Sequence, residues 1–99
     1  MEDFDKLPLH DAILKEVRVF WGTKCCSLNV MVFTNPQAFA EAYAIEFEGV
    51  SLISLPHYEP WGPSSSINTA SVVAEVFRIE MQSGDTVEIK ATSFSFRQL

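Results

Sequence analysis

The chain has 99 residues, of which 47% are hydrophobic, and its 13 acidic and seven basic side chains give a formal net charge of −6. Two separate cores would each be too small to be stable, so we expect a single domain over residues 1–99. The hydrophobic fraction excludes a disordered chain. So few cations argue against binding to nucleic acid and to anionic membrane surfaces.

The compartment is predicted from what the sequence lacks. The N-terminus has neither the basic start nor the apolar run of a secretory signal, and no apolar stretch reaches the ~20 residues that span a bilayer. Cys25 and Cys26 are adjacent. Neighbouring residues of a strand point to opposite faces, so we expect two unbridged thiols, which are also too few for a zinc site. A cytoplasmic protein without metal or cofactor is therefore predicted.

The N-terminal third of the chain predicts a hairpin. Residues 1–9 contain a proline and are expected to be extended or turn-like. Residues 12–21 are rich in β-branched and aromatic side chains, which favour a strand, although a helical interpretation of the first part stays open. Residues 25–34 alternate after a glycine-containing turn and form the second strand. Asn35-Pro36 then ends the strand, and residues 37–42 could form a helical turn.

The middle of the chain predicts one clear strand followed by a long loop. Residues 43–48 alternate between apolar and polar side chains, and residues 50–55 could continue the strand past a kink at Gly49. Residues 56–71 contain three prolines, one glycine and a triple serine. They are predicted to form an irregular loop, and loops of this length in a small domain are commonly functional or disordered.

The C-terminal third predicts a second hairpin. Residues 73–81 and 87–91 alternate on either side of a turn at Ser83-Gly84-Asp85. Phe94 and Phe96 are out of phase with the second strand, so a bulge or bend near Thr92-Ser93 is needed to aim them inward.

Together these elements predict a mainly β, single-domain antiparallel meander of five or six strands, forming a curved sheet, a small barrel or a two-layer sandwich. The apolar faces of the strands predict the core. Its members are Ile13, Val17, Val19, Leu28, Val30, Ile45, Phe47, Phe77, Ile79, Val87 and Ile89.

Two histidines are candidates for chemistry. His10-Asp11 precedes the first strand, where the pair could act as a base with its orienting group or as metal ligands. The favoured interpretation is structural, with Asp11 capping the backbone and His10 packing on an aromatic ring. His57 in the long loop would complete a metal-assisted site with this pair, but nothing in the spacing brings the two segments together.

The most distinctive run is Trp61-Gly62-Pro63, in which two flanking prolines and a glycine hold the indole on a stiff turn. Such a tryptophan either plugs the core or anchors a partner, and exposed it would form an aromatic patch with Tyr58. Gly62 and Gly84 are expected to be structural turn residues. The triple serine lacks the setting of a strained nucleophile, and no glycine-rich phosphate loop is present. We therefore predict no catalytic residue and no enzymatic activity.

Acidic residues on the strands are the remaining signal. Glu46 and Glu48 project from one strand and Glu80 and Glu88 from the second hairpin, so the four form an acidic surface if those strands are neighbours. Acidic faces usually provide solubility, but they also mimic phosphate and steer association with basic proteins.

Four segments carry a resemblance to a known group of proteins. They are Leu9-His10-Asp11-Ala12-x-Leu14, Phe47-x-Gly49-Val50, Pro60-Trp61-Gly62-Pro63-Ser64-x-x-Ile67 and Glu80-Met81-Gln82-x-Gly84-Asp85. In this order they resemble small bacterial β-rich proteins of unknown function, some of which are regarded as immunity proteins of polymorphic toxin systems. The resemblance implies a bacterial cytoplasmic protein that binds a protein, with a toxin as one candidate. It brings no catalytic or ligand residue.

The leading hypothesis is a protein-interaction module, of which an immunity-type inhibitor is one form. Tyr58 and Trp61 would anchor a basic protein partner, while Glu46 and Glu48 steer its approach. The alternative is a small-ligand-binding β domain, with a cup closed by the Trp61 loop. Open sheet edges also leave a homodimer open.

Overall fold

The computed structural model describes residues 3–33 and 39–99. The predicted break at Asn35-Pro36 lies outside these residues, as does the start of the predicted helical turn at 37–42, whose last two residues belong to a strand. A short 3-10 helix, Phe4–Lys6, precedes eight strands. These are β1 (Ile13–Phe20), β2 (Cys25–Val32), β3 (Glu41–Glu48), β4 (Leu52–Ser54), β5 (Ile67–Val73), β6 (Val76–Met81), β7 (Thr86–Lys90) and β8 (Ser93–Gln98). Within the described ranges, no helix has the length and apolarity to cross a membrane.

The strands form two antiparallel sheets of four. The first sheet has the order β1-β2-β3-β8 and the second the order β4-β7-β6-β5. The mainly β, antiparallel prediction is confirmed, but the count of five or six strands is wrong. The connection is also not a simple meander, because the chain leaves the first sheet after β3 and returns to it only with β8. The result is two separate sheets rather than one curved sheet or a barrel.

The two changes of sheet occur side by side. Gly49 has φ +64°, and a Cβ there would lie 2.3 Å from Thr92 Oγ1, so only glycine fits beside the returning chain. The Thr92 amide donates to the Glu48 carbonyl at 2.9 Å, and the Ser51 amide donates to the Lys90 carbonyl at 2.9 Å. The predicted kink and the predicted bend are therefore the two points at which the chain crosses between sheets.

The hairpin of β5 and β6 corrects the predicted loop. The loop was expected to extend over residues 56–71, whereas β5 already begins at Ile67. Its turn consists of Ala74 and Glu75, which have φ values of +50° and +66°. Two-residue hairpin turns with two positive φ values normally carry Asn or Gly. Because neither residue type is present, the sequence pattern predicts a single strand over residues 73–81.

The two sheets share one core. Its buried side chains come from both sheets and from the N-terminal segment: Phe4, Leu9, Ala12, Cys26, Leu28, Val30, Val32, Ile45, Phe47, Ile67, Phe77, Ile79, Met81, Val87, Ile89 and Ala91. The ring of Phe4 lies 4.9 Å from that of Phe77 in the second sheet and 5.2 Å from that of Phe94 in the first. The N-terminal segment, predicted as extended or turn-like, thus includes a helical turn that contributes a core ring.

Strand β1 departs most from the predicted core. Its pairing with β2 shifts between Leu14 and Glu16, which leaves Lys15 as an extra residue in a bulge. The bulge puts Leu14 on the same face as Val17. Ile13 and Val17 are only half-buried, and Val19 is 47% exposed because β1 is the edge of its sheet, so its predicted core position is wrong. The eight predicted core residues on the other strands are buried.

Candidate functional site

The connection between β4 and β5, residues 55–66, carries two exposed aromatic side chains and is called the Trp61 loop. Tyr58 is 86% exposed and Trp61 is 77% exposed. Trp61 is therefore not a plug of the core, and of its two predicted roles only that of an exposed anchor fits its position.

A buried carboxylate holds the backbone of the Trp61 loop. Asp85 is 6% exposed. Its Oδ1 accepts the Tyr58 amide at 2.9 Å, and its Oδ2 accepts the Glu59 amide and the Ser83 hydroxyl, both also at 2.9 Å. Trp61 is fixed as well, since its amide donates to the Ser83 carbonyl at 2.9 Å.

The surroundings of Asp85 favour its ionised form. Desolvation alone would raise the pKa of this carboxyl group. The hydrogen bonds from Tyr58, Glu59 and Ser83, together with the nearby His57, outweigh desolvation and lower the pKa below its ordinary value. The ionised form of Asp85 is therefore the one that holds the loop backbone at Tyr58 and Glu59.

Two glycines shape the surface under the indole. Gly84 has φ +93°, and a Cβ there would lie 2.8 Å from Trp61 Cδ2 and 2.9 Å from Pro60 Cγ. The indole and the proline ring thus lie directly over the turn between β6 and β7. Gly62 has φ +109°, and its amide donates to the Glu59 carbonyl at 3.0 Å. The Trp61 loop thus contains a hydrogen-bonded turn that packs on the turn between β6 and β7.

The pair His10-Asp11 lies against the same β6–β7 connection. His10 Nδ1 donates to the Asn68 carbonyl at 2.8 Å, and Asp11 accepts a hydrogen bond of 2.6 Å from the amide group of Gln82. The sequence predicts a backbone cap by Asp11 and packing of His10 on an aromatic ring, whereas the hydrogen bonds found join Asp11 to a side-chain amide and His10 to a backbone carbonyl.

The other histidine does not join them. His57 Nε2 lies 3.5 Å from a carboxylate oxygen of Glu59. Over residues 3–33 and 39–99 no group of three or more His, Cys, Asp or Glu side chains is arranged to hold a metal ion. The metal-assisted site considered from the sequence is not assembled in this part of the chain.

The four predicted acidic residues do not form one surface. Glu46 is half-buried on β3 and pairs with Arg97 at 2.5 Å, and the exposed Glu48 ends the same strand. Glu80 and Glu88 lie on β6 and β7 of the other sheet. Because the inner faces of the two sheets share the core, their outer faces point in opposite directions. The condition for a single acidic surface, that the strands of the two pairs are neighbours, is therefore not met, because the chain changes sheet between them.

The aromatic and acidic candidates also lie far apart. Trp61 lies over Gly84, which precedes β7. The Glu48 carbonyl accepts the amide of Thr92, which follows β7. The five residues of β7 span about 17 Å at the usual rise of a strand. Glu48 and Trp61 therefore lie beyond opposite ends of β7 and do not share a contact patch.

A second exposed tryptophan was not singled out from the sequence. Trp21, in the turn between β1 and β2, is 90% exposed. With its neighbours it lines a concavity of about 530 Å³, called the Trp21 concavity. Its lining residues are Val19, Phe20, Trp21, Lys24, Cys25, Val50, Ser51, Leu52 and Ile53. The β1–β2 turn begins with Trp21-Gly22, and the Trp61 loop contains Trp61-Gly62. This repeated Trp-Gly pair is the sequence pattern that could have indicated a second exposed tryptophan.

Comparison with known proteins adds no relative to this description. No protein-family model, curated protein or solved structure matches the chain.

Proposed function

We propose that the chain is a protein-interaction module whose Trp61 loop binds a basic protein. The supporting observation is that Tyr58 and Trp61 are both largely exposed on a loop whose backbone is held, with the buried Asp85 accepting the amides of Tyr58 and Glu59 and the Ser83 carbonyl accepting that of Trp61. Tyrosine and tryptophan are enriched among the residues that dominate interface energies. A loop already fixed in the free protein loses little conformational entropy on binding, which favours affinity.

The charge of the chain supports a basic partner. A formal net charge of −6 attracts a cationic protein over distances comparable to the Debye length and raises its rate of association. Glu46 and Glu48 contribute to this field without touching a partner at the Trp61 loop. The aromatic residues would then determine how long the complex lasts, and the carboxylates how fast it forms.

The finer form of the proposal is an immunity-type inhibitor that covers the active site of a toxin in the bacterial cytoplasm. Its support is the acidic charge and the resemblance of the four segments. The alternative of a cup closed by the Trp61 loop has less support, because the indole lies over Gly84 and is exposed to solvent.

The test compares two exposed tryptophans in one bait protein. Purified wild type, Trp61→Ala and Trp21→Ala are immobilised and exposed to extract of the source cells. A basic protein should be retained by wild type and Trp21→Ala and lost with Trp61→Ala. With that partner purified, calorimetry should show a loss of about 2 kcal/mol or more for Trp61→Ala, roughly 30-fold in Kd.

The role of charge is tested with the double variant Glu46→Lys/Glu48→Lys. It should slow association and reduce its salt dependence, while the dissociation rate stays close to that of wild type. Identical partners and affinities for wild type, Trp61→Ala and the double variant would reject the proposed surface.

A further inference from the structure

The Trp21 concavity has the dimensions and lining of a small-ligand site. Its volume of about 530 Å³ falls within the roughly 300–1,000 Å³ of typical ligand pockets. One wall is the end of β1 with the following turn, and the other is β4 with the residues before it. Phe20 and Leu52, from opposite walls, are 49% and 56% exposed. Apolar area is therefore available for a ligand to bury.

The two walls are joined through the backbone. The Val50 amide donates to the Lys24 carbonyl at 2.8 Å, which ties the β1–β2 turn to the segment that leads into β4. The Lys24 amide in turn donates to the Trp21 carbonyl at 3.3 Å and closes the turn. The concavity therefore exists in the free protein, so ligand binding costs little conformational entropy for ordering its walls.

The charge of the concavity is opposite to that of the chain. Among the described residues that line it, Lys24 is the only charged side chain. Four of the other cations form ion pairs with carboxylates, namely Lys6, Arg18, Arg78 and Arg97. Lys24 takes part in none of the ion pairs found within residues 3–33 and 39–99. A single ammonium group beside apolar walls complements a ligand with one negative charge.

We propose that the Trp21 concavity binds a small amphiphilic carboxylate. The hydrocarbon part would lie against Trp21, Phe20 and Leu52, and the carboxylate would face the ammonium group of Lys24. One flexible ammonium group suits a monoanion, whereas phosphate sites usually combine several donors. The proposal is independent of protein binding at the Trp61 loop, because it uses other residues.

The experiment uses the two indole N–H resonances of the ¹⁵N-labelled protein, assigned with Trp21→Phe and Trp61→Phe. Decanoate is titrated below its aggregation concentration. The Trp21 resonance should move to saturation, while that of Trp61 stays in place. The absence of a saturable change at Trp21, or equal changes of both resonances, would overturn the proposal.

The chemical class is tested with Lys24→Met, which keeps an unbranched side chain only one atom shorter and removes its charge. Its affinity for decanoate should fall by about 2- to 5-fold, as expected for a partly exposed ion pair, while its affinity for decanol stays unchanged. Decyltrimethylammonium should bind wild type more weakly than decanoate. Equal decanoate affinity of the variant and wild type, or equal binding of the two charged amphiphiles, would reject the carboxylate. A Trp21 resonance that moves on dilution without ligand would instead show that a second copy of the chain covers the concavity, which also overturns the proposal.

Discussion

The two tryptophans of the chain are both exposed, but their supports differ. Trp61 lies on a loop whose amides bond to an ionised, buried carboxylate, and its indole rests on a glycine turn. Trp21 lies on a turn at the edges of both sheets, beside apolar side chains and one lysine. Exposure alone therefore does not distinguish them. The Trp61 loop, with its fixed backbone and exposed aromatic side chains, is suited to binding a protein. The Trp21 concavity, with its apolar walls, is suited to binding a small molecule.

Replacing Asp85 should have the largest effect and should affect only one side of this comparison. In Asp85→Asn an NH2 group, which cannot accept a hydrogen bond, replaces one carboxylate oxygen. The backbone amides of Tyr58 and Glu59 then compete for the remaining oxygen. Hydrogen exchange at these two amides should accelerate and the melting temperature should fall. Exchange at Lys24, in the other turn, should stay unchanged. The exposed Asp5→Asn is the matched control, and equal behaviour of the two variants would contradict the role of Asp85.

The same variant predicts a dependence on pH. The pKa of Asp85 in the folded protein lies below its ordinary value of 3.8, so the ionised group stabilises the fold above that pH. This stabilisation is lost as the pH falls through the lowered pKa of the folded state. The difference in unfolding free energy between wild type and Asp85→Asn, from urea denaturation, should therefore shrink below pH 3.8. A constant difference between pH 6 and pH 2.5 would argue against an ionised Asp85.

Much of the framework could be predicted because it depends on local patterns. The alternation in residues 43–48 and the Ser83-Gly84-Asp85 turn are short-range signals that tertiary packing reinforces. The β5–β6 turn could not be predicted, since Ala74 and Glu75 adopt positive φ values only because the flanking strands pair. Phe4 was missed for a related reason, because three residues of 3-10 helix have no periodicity.

The candidate site divides in the same way. The loop with Tyr58 and Trp61 was predicted from its prolines, glycine and aromatics, which are properties of the segment itself. The residue that fixes it, Asp85, lies 26 and 27 positions from the amides that it accepts. Only the path of the chain through both sheets brings them together. The separation of Glu46 from Glu88 follows from the same long-range path.

Two glycine replacements compare the turns directly. In Gly84→Ala the new methyl group lies 2.8 Å from the indole of Trp61, and the alanine backbone must adopt a φ near +93°. Overpacking and backbone strain together should destabilise the protein by about 1–3 kcal/mol and move the indole. Gly22, next to Trp21, has nothing within 4 Å of a new Cβ, so Gly22→Ala should change stability by less than about 0.5 kcal/mol. Urea denaturation and the two indole N–H resonances measure both effects, and equal losses would mean that Gly84 does not support Trp61.

The adjacent cysteines provide the mildest test, because it leaves the fold intact. Cys25 lines the Trp21 concavity and is half-buried, with its thiol 3.4 Å from the Thr23 carbonyl. Cys26 points into the core, where burial raises the pKa of its thiol and disfavours the reactive thiolate. Brief treatment with iodoacetamide at pH 8 should therefore give a single adduct by mass spectrometry, on Cys25. The adduct should disappear in Cys25→Ser and persist in Cys26→Ser. Equal labelling of both thiols would show that the core around Cys26 is as accessible to the reagent as the Trp21 concavity around Cys25. That result would contradict the description of a closed core beside an open concavity.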